Sequence, residues 1–138
     1  MTPPDDILHG SCLCGGVAFH AAPPAQHASH CFCTMCQKFH GAAAGSYIDV
    51  AMSGYVVERG AELITEYASS EWGRRGFCKT CGSSLYWRST GAPDVIELAL
   101  GTLSPPWTGT VEREVYTDTK PTWMPHRASA PSSDDAAV

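Results

Sequence analysis

Hydrophobic residues along this chain fall in short runs separated by polar and small residues. Seven such runs, 17–20, 45–50, 55–58, 63–68, 84–88, 95–100 and 111–117, are rich in β-branched and aromatic side chains. Glycine, proline and serine interrupt them, as at Ser53-Gly54, Gly91-Ala92-Pro93 and Ser104-Pro105-Pro106. Runs of this length and composition predict strands, and the interruptions predict turns, so the chain reads as mainly β with antiparallel sheets. One stretch, 34–44, has helical character, and its shortness together with Gly41 limits it to a turn or two.

A length of 138 residues with 43% hydrophobic residues suits one domain with its own core. That domain is expected over 8–127. The segments 1–7 and 128–138 are polar, small and proline-bearing, and are expected to be flexible. No repeat at a solenoid period is present. The net charge of -5 offers no attraction to a phosphate backbone, which argues against nucleic acid as a partner. Residues 1–10 lack the basic and apolar regions of an export signal. The richest apolar run, 95–100, is short and contains Glu97, so no membrane span is expected. These features predict a soluble, cytoplasmic protein.

In that compartment thiols stay reduced, and seven cysteines point to metal binding before a disulfide framework. They form three clusters: Cys12 and Cys14; Cys31, Cys33 and Cys36; Cys78 and Cys81. A C-x-x-C turn presents two thiolates to one tetrahedral ion, and the glycines after Cys14 and Cys81 suit a tight knuckle around the sulfurs. Division into four and three leaves no sulfur stranded. Cys12, Cys14, Cys78 and Cys81 then make a closed structural zinc site, while Cys31, Cys33 and Cys36 hold a second zinc with an open fourth position, the pattern of catalytic zinc. Other readings of the same residues are a redox dithiol, an iron–sulfur cluster, and a middle site closed by His27, His30 or His40.

The phrases GSCLCGGVAF, HCFCTMCQKFHGAAAGSY, GFCKTCGSSLYW and LALGTL, in this order, resemble the glutathione-dependent formaldehyde-activating enzyme family, which includes centromere protein V. The resemblance runs from Leu8 to about Trp123. It implies a β-tent fold tied by a Cys₄ zinc site, two zinc ions per chain, and the same four-plus-three assignment of the cysteines. It also implies carbon–sulfur lyase chemistry on a thiol–aldehyde adduct such as S-hydroxymethylglutathione, with glutathione and formaldehyde as the small-molecule partners. Two positions depart from the family pattern: Gln37 stands where arginine is common, and Glu114 where a histidine often stands.

In such chemistry a metal-held thiol reacts as its thiolate at neutral pH. His30 and His40 flank the middle cluster and are candidates for proton transfer, or for simple hydrogen bonding nearby. Arg74, Arg75 and Lys79 are candidates for a substrate carboxylate, or for a solvated face. Trp72, Phe77, Tyr86 and Trp87 read as core and strand packing. The competing function is a zinc-stabilised binding module without turnover.

Overall fold

The structure, a computed structural model, describes residues 6–124. Its order of elements is β1 (Leu8–Ser11), β2 (Ala18–Ala21), β3 (Gln26–Cys31), α1 (Thr34–His40), β4 (Gly45–Ala51), β5 (Tyr55–Arg59), β6 (Ile64–Ala68), β7 (Gly73–Cys78), β8 (Ser84–Ser89), β9 (Val95–Ala99) and β10 (Arg113–Val115), with three short 3₁₀ turns between strands and a fourth, Thr117–Thr119, after β10. The fold is mainly β, as the sequence predicts. A three-stranded sheet runs β1-β2-β5, and a seven-stranded sheet runs β10-β3-β4-β9-β8-β7-β6.

The period of two along a strand decides what each face of the large sheet carries. Ile48, Val50, Tyr86, Ile96 and Leu98 point to one side, and a bulge in the β7–β8 pairing lets Leu85 join them. They pack with Leu8, Phe19 and Ala21 of the small sheet and with Val17 in a single buried cluster. Each large apolar side chain buried there contributes about 1.5–3 kcal/mol. The alternate positions face the other way. Register places Asp49 opposite Glu97, Glu97 opposite Trp87 and Trp87 opposite Arg75, a row across four strands. In the adjoining row Arg113 lies beside Ser29 and Ser29 beside Tyr47.

Three strands, β1, β3 and β7, are absent from the sequence expectation. LHGS and GRRGFC contain glycine and QHASHC is largely polar; in β3 and β7 the face away from the core carries Cys31 and Arg75 in place of apolar packing. The expected strand 111–117 shortens to Arg113–Val115. It pairs with β3 in parallel, so the large sheet is mixed and not wholly antiparallel. Trp72 is 57% exposed and does not pack in the core as expected. No helix among the described residues is long and apolar enough to cross a membrane. The expectations for 1–5 and 125–138, including the last residues of the proposed domain, lie outside the described residues.

Candidate metal centres and the adjoining cavity

Two turns bring the first and last cysteine clusters together. Gly15 donates its N–H to the Cys12 carbonyl at 3.0 Å, and Gly82 donates to the Cys78 carbonyl at 2.7 Å. Both glycines have left-handed backbone, with φ of 77° and 79°, which a side chain would strain. The turns therefore have matching form and aim their sulfurs at a common point. The four Sγ atoms of Cys12, Cys14, Cys78 and Cys81 lie within 4.8 Å of one another. Two of the separations, Cys12 to Cys14 at 3.5 Å and Cys14 to Cys78 at 3.9 Å, are close to the edge of about 3.8 Å for a tetrahedron with 2.3 Å zinc–sulfur arms. Val17 donates its N–H to Cys12 Sγ at 3.2 Å, the kind of contact that orients and stabilises a metal-bound thiolate. Cys12 and Cys78 are buried while Cys14 is exposed, and Leu13 between the first pair is turned into solvent.

The middle cluster is assembled differently. Cys31 ends β3, and Cys33 caps α1, its sulfur accepting from the Cys36 N–H at 3.3 Å. Cys36 sits in the first turn of the helix, facing inward. The three sulfurs again lie within 4.8 Å of one another. Cys36 Sγ accepts from the Tyr47 hydroxyl and from Arg75 Nη1, both at 3.4 Å. His40 Nε2 lies 2.8 Å from the same tyrosine oxygen. Since the tyrosine O–H points at the sulfur, the histidine donates, and a chain runs His40 to Tyr47 to Cys36.

Charge is unevenly shared within each cluster. The Cys36 thiol is held down at about 4, first by its hydrogen bond with Cys31 and then, against burial, by Tyr47 and Arg75. Cys31 is pushed far up, because its neighbour Cys36 already carries the negative charge. In the other cluster the Ser83 hydroxyl helps bring Cys81 down to about 5. Cys14 stands at about 11, where the Gly16 N–H favours its thiolate but Cys12 beside it opposes a second charge. Sulfurs gathered this closely cannot all ionise against one another, and a divalent cation is the partner that removes the repulsion. Both donor sets, four thiols and three, suit zinc chemically.

All three cysteines of the middle cluster line one cavity of about 460 Å³, together with Tyr47, Arg75, Trp87, Glu97 and Arg113, whereas of the first cluster only Cys81 borders a cavity, one of about 520 Å³ shared with Leu13 and Ser83. Arg75 is 4% exposed, which corrects its reading as part of a solvated face; it is held by Ser69 Oγ at 2.9 Å and stacks over Phe39 at 5.5 Å. Arg74 instead turns to backbone carbonyls of Ser70, Glu71 and Gly73. His30 is a neighbour of Cys31 in sequence but occupies the opposite face of β3, where it meets Ser46 at 2.8 Å. Sequence reasoning missed Tyr47, Glu97 and Arg113. The signal for Glu97 was present: a carboxylate inside the most apolar run of the chain.

The departures from the family pattern have local partners. Gln37 Nε2 donates to the carbonyls of Phe32 and Thr119, pinning the helix to the segment after β10. Glu114 pairs with Lys120 at 3.3 Å, in the open.

The profile of the family described as glutathione-dependent formaldehyde-activating enzyme matches residues 7–119. A curated Halomonas elongata protein, named provisionally as a glutathione-dependent formaldehyde-activating enzyme, is 28% identical over 128 residues, covering 86% of this chain and 80% of that protein. A crystal structure of a Rhodobacter sphaeroides protein superposes with a TM-score of 0.65 at 24% identity, covering 78% of this chain and 99% of the other, and agrees in fold. By its match across most of its length, this chain belongs to the glutathione-dependent formaldehyde-activating enzyme family.

Proposed function

We propose that this protein is a zinc-dependent carbon–sulfur lyase that makes or breaks a thiol–aldehyde adduct such as S-hydroxymethylglutathione. The carrying observation is the three-sulfur cluster of Cys31, Cys33 and Cys36 in the wall of the cavity. In this reading Cys12, Cys14, Cys78 and Cys81 hold a structural zinc and the other three hold a catalytic one, within a single domain over 8–127 of a cytoplasmic enzyme. A zinc ion on three thiolates supplies an acceptor for a soft fourth ligand, stabilising a substrate sulfur as thiolate.

The chain's own residues do the rest. Tyr47 and Arg75 donate to Cys36 and offset the negative charge of the cluster. Trp87, Met35 and Val115 give the cavity apolar walls, which limit water around the reacting carbon. Arg113 lies at the same cavity and makes no hydrogen bond or ion pair among the described residues, leaving its guanidinium for a carboxylate of the thiol substrate.

The test is turnover of S-hydroxymethylglutathione, followed in either direction, together with glutathione titration of cobalt-substituted protein. The expected result is turnover, with a glutathione-dependent change in the cobalt–thiolate spectrum. Absence of both at millimolar thiol supports the binding-module reading instead. Native mass spectrometry should find two metal ions per chain.

A further inference from the structure

The proposed reaction needs a group that moves a proton between sulfur and oxygen, and the histidines next to the cysteines do not serve. His30 faces the other side of the sheet, and His40 is committed to the Tyr47 oxygen; neither lines the cavity. Tyr47 and Arg75 are engaged with Cys36. Glu97 differs from all of these. It lines the same cavity as the three sulfurs, and its carboxyl makes no hydrogen bond among the described residues. Its strand neighbours in register are Asp49 and Trp87.

We infer that Glu97 is the catalytic acid–base of this site, relaying one proton between the sulfur and the oxygen of the adduct. The inference rests on the proposed function. In the forming direction the Glu97 carboxylate takes the S–H proton, and the thiolate forms the C–S bond to the aldehyde carbon. The C=O π pair moves to oxygen, which takes the proton back from Glu97. In cleavage the carboxylate takes the O–H proton, the C=O bond forms, and the C–S pair leaves on sulfur, which is protonated by Glu97. Atoms and charge balance with no further reactant. Sulfur and oxygen sit on one carbon, so one carboxyl reaches both.

The surroundings suit this work. Like charges directly opposite in an antiparallel pair repel, and Asp49 faces Glu97 across the ladder. Burial first, and then the Asp49 charge, raise the Glu97 carboxyl to about 7, with the Cys36 thiolate adding to the rise and Arg113 and Arg75 opposing it. Asp49 is itself tied to His27 at 3.2 Å. His27 has φ of 59° at the bulge in β3 where the register with β4 shifts, a device that re-aims side chains beside functional sites. Of the remaining titratable groups around the cavity, Tyr47, Cys31 and Cys33 belong to the thiolate cluster and its donors, and Tyr116 is largely exposed to solvent.

Glu97→Gln and Glu97→Asp are compared with the unaltered zinc-loaded protein on S-hydroxymethylglutathione. Glu97→Gln should lower kcat on the order of 10²-fold with KM changed by less than about threefold. Because Glu97 enters both directions as the carboxylate, kcat/KM should fall as pH drops below about 7. Glu97→Gln should abolish this limb, Glu97→Asp should restore it with part of the rate, and Asp49→Asn should move it to lower pH. A folded Glu97→Gln that keeps kcat within about threefold and keeps the limb overturns the inference and leaves the proposed function standing. An unaltered protein that turns over no hydroxymethyl thiol overturns both.

Discussion

Cys12, Cys14, Cys78 and Cys81 come from two glycine-bearing turns distant in sequence, with two of the sulfurs buried and backbone groups as near neighbours. Cys31, Cys33 and Cys36 come from one strand-to-helix connection, and their neighbours are side chains: Tyr47, Arg75 and, through Tyr47, His40. The first arrangement links the Cys12–Cys14 turn to the β7–β8 turn, and only its Cys81 borders a cavity. The second presents all three sulfurs to one cavity. The same ligand chemistry thus serves two ends, and the difference lies in what the fourth direction of each cluster meets: another cysteine or a space lined by functional side chains.

Removing one sulfur from each cluster should separate the two most strongly. Cys78→Ser takes away a fully buried donor that joins two distant segments, and should cost on the order of 4–5 kcal/mol or prevent folding, measured by denaturant unfolding followed by far-UV circular dichroism. Cys33→Ser should leave the unfolding midpoint nearly unchanged while lowering turnover by at least about 10²-fold. Equal loss of stability from both variants would erase the distinction between a structural and a working site.

A finer division concerns the donors to Cys36. Tyr47→Phe removes one O–H···S bond and leaves the His40 Nε2–H without its partner, and should weaken the charge balance of the cluster by about 1.5–3 kcal/mol. The readout is a rise in the pH at which the metal-free Cys36 thiol reacts with an alkylating reagent. An unchanged reactivity profile would count against the tyrosine as a tuning group.

The smallest effect is expected away from both clusters. Arg88 meets Glu66 through two bonds of 2.6 and 2.7 Å, and the Tyr86 hydroxyl joins the same carboxylate. The Arg88 bonds hold the Glu66 carboxyl below its ordinary value. A depressed carboxylate adds stability above its unfolded pKa and loses it as pH falls through the folded one. Glu66→Gln should therefore cost no more than about 1 kcal/mol at neutral pH, with the deficit disappearing in acid below the ordinary carboxylate range, and should leave turnover intact. A large activity loss here would mean the cavity is coupled to the β6–β8 edge.

Much of this was legible from the chain. Core strands such as Gly45–Ala51 and Val95–Ala99 carry apolar residues dense enough to be read. The C-x-C and C-x-x-C spacings with their trailing glycines announce chelating turns, because ligand spacing and left-handed backbone are local properties. β3 and β7 were not legible, since one of their faces bears Cys31 and Arg75 in place of apolar side chains.

By itself, then, the sequence determined the mainly β class, the family, and which cysteines are close enough along the chain to act together. Ligand counting also grouped the first and last clusters, and the tertiary structure brings their sulfurs together across more than sixty residues, as with Cys14 and Cys78. Tertiary structure alone turned His30 away from the cavity and set Glu97 into it beside Asp49. The reason is strand parity combined with register: a side chain's face follows from its position along its own strand, but its neighbours follow from pairing between strands, which no local pattern records.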